Sequence, residues 1–162
     1  MNKNLLIGFG IGLAAVLLAV AGILFMQRGA HLDMPGQILK IRTAPVSDDS
    51  SVAMIDFRVS NTSDYPAEVR TVRVFDEDKS GNRLEGRVMA DPDAKRVFDA
   101  VPVLGQKYNP SLILRDRIPG RSTWDRMIGA TFPIPDATLQ ERKRLVVSIE
   151  EIDGKVFEIT ER

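Results

Sequence analysis

Leu5 to Met26, LLIGFGIGLAAVLLAVAGILFM, is a run of twenty-two residues without a charge, an amide or a proline. A helix of that length rises about 33 Å at about 1.5 Å per residue, against a bilayer hydrocarbon core roughly 30 Å thick. In lipid an unpaired peptide group costs several kcal/mol, so a single segment there must close its own hydrogen bonds as a helix. The run therefore predicts one N-terminal transmembrane helix, residues 5–26. A four-residue tail precedes it, a linker follows at 27–36, and one domain occupies 37–162.

A cleaved signal peptide is the competing reading of the run. Lys3 precedes it, and Ala19 and Ala21 have the A-x-A spacing of a cleavage site. The apolar stretch nevertheless continues through Gly22, Ile23, Leu24, Phe25 and Met26, which favours a retained anchor. Gly8, Gly12, Ala15, Ala19 and Gly22 step by four, three, four and three. They fall on one helical face, where small side chains let a second helix approach closely. These five residues are the expected helix–helix interface. A short Lys3-bearing tail before a first helix, with Arg28 the one basic residue next to the exit, resembles a bacterial signal anchor. That places the domain on the extracytoplasmic side of the inner membrane, although Arg28, Lys40 and Arg42 by count favour the reverse.

The chain has 22 Lys plus Arg, 22 Asp plus Glu, one histidine and no cysteine. This balance gives no basic footprint for nucleic acid. Missing cysteine removes disulfides, thiolate catalysis and sulfur-based zinc sites, while a domain of about 125 residues can bury an adequate core unaided. His31 lies in the linker QRGAHLDMPG with no second ligand near it, and reads as a solvated side chain.

From Gln37 the period changes from helical to alternating. Ile38, Leu39 and Ile41 give a first strand and Asp48 to Ser51 a turn. In the next strand Ala53, Ile55, Phe57 and Val59 face one way, with Asp56 and Arg58 facing the other, so it should be half-buried. SNTSDYP, Ser60 to Pro66, supplies turn chemistry, and Glu68 to Phe75 forms a third strand. DEDKSGNRL carries Asp76, Asp78, Ser80 and Gly81 at the first, third, fifth and sixth positions of a calcium loop. The twelfth position, where a bidentate glutamate is needed, is Arg87, so a hairpin turn at Gly81 is predicted instead. After a strand around Leu84 to Met89, Asp91 as N-cap, Pro92, and Ala94, Val97, Phe98 and Val101 at helical spacing predict a helix that covers an end or edge of the sheet, closed by Gly105. A short strand at Leu112 to Leu114, a Pro119-Gly120 turn, and a strand with Trp124, Ile128, Ala130 and Phe132 in one phase follow, with Trp124 in the core. A capped helical turn near Asp136, a strand over Leu145 to Ile149, an Asp153-Gly154 hairpin and a last strand with Phe157 and Ile159 complete the chain.

These elements predict a mainly β chain: a two-layer antiparallel sandwich with one or two short helical insertions. RVSNTSDYPAEVRTVRVFDEDKSGNRL, Arg58 to Leu84, with IPGRST from Ile118, resembles membrane-anchored bacterial Ig-like or fibronectin-type-III-like domains, where a strand ending in Asn precedes a Pro-containing turn. It is also similar to the late-embryogenesis-abundant type 2 sandwich. The resemblance implies a fold over some 120 residues and no chemistry.

Three functions follow in order. The first is a non-enzymatic accessory or assembly subunit of a membrane protein complex, its helix packed on partner helices in the bilayer and its sandwich docked on the complex. The second is an extracytoplasmic module that binds a ligand or peptide through end loops carrying Tyr108, Asn109, Arg117 and Arg121. The last is an enzyme, whose titratable candidates reduce to carboxylates at predicted turns, Asp76, Asp78, Glu150, Glu151 and Asp153. No phosphate-binding glycine loop, haem-attachment motif or metal-ligand spacing is present, and no cofactor is expected.

Overall fold

The computed structural model describes residues 3–27 and 34–161, and within the first helix it describes the side chains of residues 9, 10 and 12–22. The chain divides into two units, Met1–Leu32 and Asp33–Arg162. Helix α1, Lys3–Gln27, belongs to the first, and its described side chains are all exposed. Among the described residues no helix is long and apolar enough to cross a membrane. The expected transmembrane helix is corrected accordingly. Arg28 and His31 lie outside the described residues.

The second unit consists of strands β1 (Gly36–Ser47), β2 (Ser50–Asn61), β3 (Ala67–Glu77), β4 (Arg83–Val88), β5 (Arg117–Ile118), β6 (Ser122–Phe132), β7 (Arg144–Glu151) and β8 (Val156–Thr160). Helix α2 (Asp91–Ala100) and a 3₁₀ turn at Pro102–Leu104 separate β4 from β5, and α3 (Asp136–Gln140) separates β6 from β7. Among the described residues the strands form one sheet in the order β1-β2-β6-β4-β3-β7-β8, with β5 on β3. All named pairs are antiparallel.

The sheet curls because β4 serves both halves. Its first part pairs with β3, Val74 opposite Gly86, and its last two residues pair with β6, Val88 opposite Ala130. The far ends of the order then approach each other, so that a Cβ on Gly36 of β1 would lie 2.5 Å from Ile159 Cδ1 of β8. With β5 set aside, β1-β2-β6-β4 facing β3-β7-β8 repeats the neighbour order of the two sheets in a constant-type immunoglobulin sandwich. The expectation of two separate sheets is replaced by one curled sheet whose layers share a strand.

The interior lies between the layers. Ala53, Ile55, Phe57 and Val59 of β2 meet Ile128, Ala130 and Phe132 of β6, and Val74, Leu145, Val147, Ile149 and Ile159 close the other side, all of them buried. Gly86 sits where β4 changes layers, and a Cβ there would fall 2.6 Å from the Phe132 ring. Only a residue without a side chain lets β4 pass over that ring.

The second strand is not half-buried as its alternation predicts. Val52, Met54 and Asp56, on the face opposite Ala53 and Ile55, are also buried. Ala94 and Phe98 of α2, with Leu104, pack there on Ala44, Val52, Met54 and Met127 as a second apolar cluster. Burying a side chain such as Phe98 contributes about 1.5–3 kcal/mol. Helix α2 therefore covers the outer face of a layer rather than a sheet end. Its N-cap is Ala90 and no side chain caps it, so Asp91 is not the predicted cap.

The turns follow the sequence more closely. Asp78 Oδ1 accepts the backbone N–H groups of Ser80 at 2.8 Å and Asn82 at 2.9 Å, and Gly81 has φ 88°. That carboxylate closes a hairpin, which is why the calcium-like spacing leads nowhere. Buried Asn61 donates from Nδ2 to the carbonyls of Tyr65 (2.8 Å) and Ile118 (3.0 Å), tying the turn after β2 to β5. Leu112 to Leu114 is not a strand. Apart from an isolated bridge between Ser111 and Met127 the segment is irregular, because Asp116 Oδ2 accepts the Ile113 N–H at 3.1 Å and Arg115 turns to φ 67°. Trp124 keeps its predicted phase but is only half-buried, with the Arg126 guanidinium 3.8 Å above its ring.

Two predictions come from this packing. Gly86→Ala should destabilise the domain by about 1–3 kcal/mol, the usual range for overpacking a filled core; urea unfolding that leaves the midpoint in place would contradict the account. The second concerns Asp76, which is buried on β3 with no protein hydrogen-bond partner on Oδ1. Burial pushes its pKa above the usual 3.8, opposed by Arg142 and reinforced by Asp78 and Glu161. A carboxyl that holds its proton more tightly in the folded state makes stability fall as pH rises from its unfolded value through its folded one. Asp76→Asn should thus raise the melting temperature at pH 7, and the gain should shrink to nothing as pH drops below about 3.8.

Candidate functional site

A buried polar staple and an apolar groove lie on either side of the chain that carries α2 back to the sheet. The staple begins at Arg42 of β1, whose Nη2 donates to Asp56 Oδ2 on β2 at 2.6 Å. Side-chain exposure is 9% for the arginine and 4% for the aspartate. Such a pair costs several kcal/mol of desolvation per ion and holds only with further hydrogen bonds. The loop after α2 provides them. Arg42 Nη1 donates to the carbonyls of Leu104 (2.8 Å) and Gln106 (2.6 Å), and Asn109 Nδ2 donates to Asp56 Oδ1 at 2.9 Å. The guanidinium also lies 4.8 Å from the Phe98 ring centre and 5.6 Å from that of Tyr108.

The residues expected to line a binding end do not come together. Asn109 is committed to Asp56, and Tyr108 lies exposed against Arg42 and Lys40 on the outer face of the β1 layer. Arg117 of β5 donates to Glu68 Oε2 at 2.9 Å, and Arg121, in the turn before β6 at φ 52°, pairs with Asp64. Each of the three polar residues is thus held by its own carboxylate. Of the helix residues, Gly12 and Gly22 would meet nothing within 4 Å if given a Cβ; Gly8 lies in α1 but outside the residues whose surroundings are described.

The groove follows from the path of β4. Once β4 leaves β3 for β6, Thr71 and Val72 on one side and Ile128 on the other have no strand between them. The opening, about 670 Å³, is bordered by Val88 to Pro92 and by Leu112 to Leu114. Leu112 is buried and forms part of its floor, whereas Ile113 and Leu114 stand 51% and 63% exposed at its rim. Asp91 is the one titratable residue in the lining. Its hydrogen bond from Lys107 holds its carboxyl below the usual carboxylate range, so it stays a charged acceptor already in use. An apolar wall with one spent carboxylate is suited to covering apolar surface, not to moving protons.

The sequence carries one sign of this groove, the apolar run Leu112-Ile113-Leu114 ahead of Arg115-Asp116, which reads as a short strand. Val88 and Met89 fall in the strand predicted around Leu84 to Met89, with nothing in the sequence to mark a wall.

No family model matches the chain, and no curated protein matches it. Among solved structures, the putative ApaA protein of Bordetella pertussis is similar over 81% of this chain and 89% of its own, at 17% identity and a TM-score of 0.38. An uncharacterised β-sandwich protein of Clostridium difficile 630 is similar over 80% and 85%, at 14% identity and a TM-score of 0.36. The fold of this chain is a β-sandwich by its own strand pairing, and the two likenesses add no function to it.

The staple predicts its own test. Asp56→Ala leaves the Arg42 guanidinium buried without its carboxylate and should cost about 3–5 kcal/mol. Chemical denaturation followed by circular dichroism measures it, and a loss within about 1 kcal/mol, as for a surface pair, would show that the pair is not an anchor.

Proposed function

We propose that this chain is a non-enzymatic accessory or assembly module that docks on a larger complex, with the groove beside Ile113 and Leu114 as the docking surface of its sandwich. One observation carries the reading: two large apolar side chains stand exposed next to an open, apolar cavity on the same face. Exposed apolar groups that flank a concave apolar wall mark interaction sites.

A second reading has support from the same cavity. Its volume lies within the range of about 300–1,000 Å³ that small-molecule sites occupy, so an apolar ligand could fill it in place of a protein.

Pull-down of the full chain in mild detergent tests the docking reading. The double variant Ile113→Asp, Leu114→Asp changes only exposed side chains and should leave the melting temperature unchanged while lowering recovery of co-purifying chains about tenfold or more. Unchanged recovery would remove the groove from the interface.

A further inference from the structure

The outer face of β3, β7 and β8 carries a second, smaller hollow of about 220 Å³. One row of cross-strand neighbours runs through it: Arg73 on β3 stands opposite Ser148 on β7, which stands opposite Glu158 on β8. Ser148 is only 8% exposed, yet its hydroxyl makes no hydrogen bond among the described residues. Its oxygen is not sealed inside the protein and opens on the hollow. Buried polar groups are ordinarily paired, so this hydroxyl has bonding capacity that the fold does not use.

The charges around the hollow differ in what already holds them. Arg83 Nη1 and Nη2 donate to the two Glu158 oxygens at 2.7 and 3.1 Å, and its Nε donates to Glu77 Oε2 at 3.3 Å. Glu150 has the Arg70 guanidinium 3.5 Å away. Arg73 is exposed and makes no side-chain hydrogen bond or ion pair among the described residues. Of the two lining arginines, it is the one whose planar fork of donors is unspent.

That fork matches the paired oxygens of a carboxylate or a phosphate. The acidic residues of the lining decide between them. Glu150 and Glu158 border the same hollow, so a dianion meets two carboxylates, whereas a monoanion is balanced by Arg73. The volume is below the roughly 300 Å³ at which pockets for drug-sized ligands begin, so the occupant is small. Phe75 and Val156 complete the lining with apolar surface, which suits a short hydrocarbon body.

We infer that this hollow binds a small organic carboxylate, its charged group held by the Arg73 guanidinium and the Ser148 hydroxyl. The site is separate from the groove and stands or falls without the docking reading.

Butyrate, exchanged for chloride at constant ionic strength, is the probe, and nuclear magnetic resonance of the full-length protein in mild detergent is the readout. The backbone amides of Arg73, Ser148 and Glu158 should shift to a plateau with one dissociation constant. Arg73→Gln removes an exposed charge without a partner, so it should leave the melting temperature unchanged while weakening butyrate about tenfold. Ser148→Ala should weaken it about threefold. Lys79→Gln, at an exposed cation in the turn between β3 and β4, should leave the constant as it is. Sulfate, a dianion, should bind about tenfold more weakly than butyrate. Shifts that do not saturate, or a constant unaltered by Arg73→Gln, would overturn the inference. Sulfate binding as tightly as butyrate would overturn the assignment to a carboxylate.

Discussion

Removing the Arg42–Asp56 pair from water is the costly step around which the outer face of this domain is arranged. Two ions with under a tenth of their side-chain surface exposed require every neighbouring acceptor and donor to be in place. Leu104, Gln106 and Asn109 supply these for Arg42 Nη1 and Asp56 Oδ1, with Arg42 Nε left buried without a partner, so the chain leaving α2 passes directly over β1 and β2. The path of that return then sets the rest. It brings Phe98 and Leu104 onto Val52 and Met54 and delivers Ser111 to the bridge with Met127. It also leaves Leu112 to Leu114 as the far wall of the groove. The polar staple thus positions an apolar surface that it does not touch.

Much of the β architecture was legible because short-range chemistry decides it. The positive φ at Gly81 and Gly154, the acidic turn between β1 and β2, and the alternation in β2, β6 and β7 are local properties. Each points to the same hairpin or strand whatever surrounds it. Strand order required more, since β4 divides its hydrogen bonds between two neighbours at a glycine that sequence marks only as a strand residue.

What could not be read depends on contacts made at long range. Asp56 looks like a solvated residue of an alternating strand until Arg42, fourteen residues earlier, and Asn109, fifty-three later, are seen to bond it. Leu112 to Leu114 has strand composition, yet one carboxylate three residues on from Ile113 redirects its backbone. Tyr108, Asn109, Arg117 and Arg121 have the composition of loop contacts. Distribution over separate faces, each polar one with its own acidic partner, is a property of the fold and not of the loops. The twenty-two-residue apolar run illustrates the same limit, since its composition leaves open which surface covers it.

The strand shared between the layers has a consequence for how the domain comes apart. Sandwiches whose sheets meet only through side chains can in principle slide or splay, each sheet keeping its own hydrogen bonds. Here six residues of β4 are bonded to β3 at one end and β6 at the other, so parting the layers means breaking backbone ladders in both. Neither half is a refuge for partial structure. The domain is built to melt in a single cooperative step, with fraying confined to β1, β8 and the two-residue β5, which among the described residues have one hydrogen-bonded neighbour each.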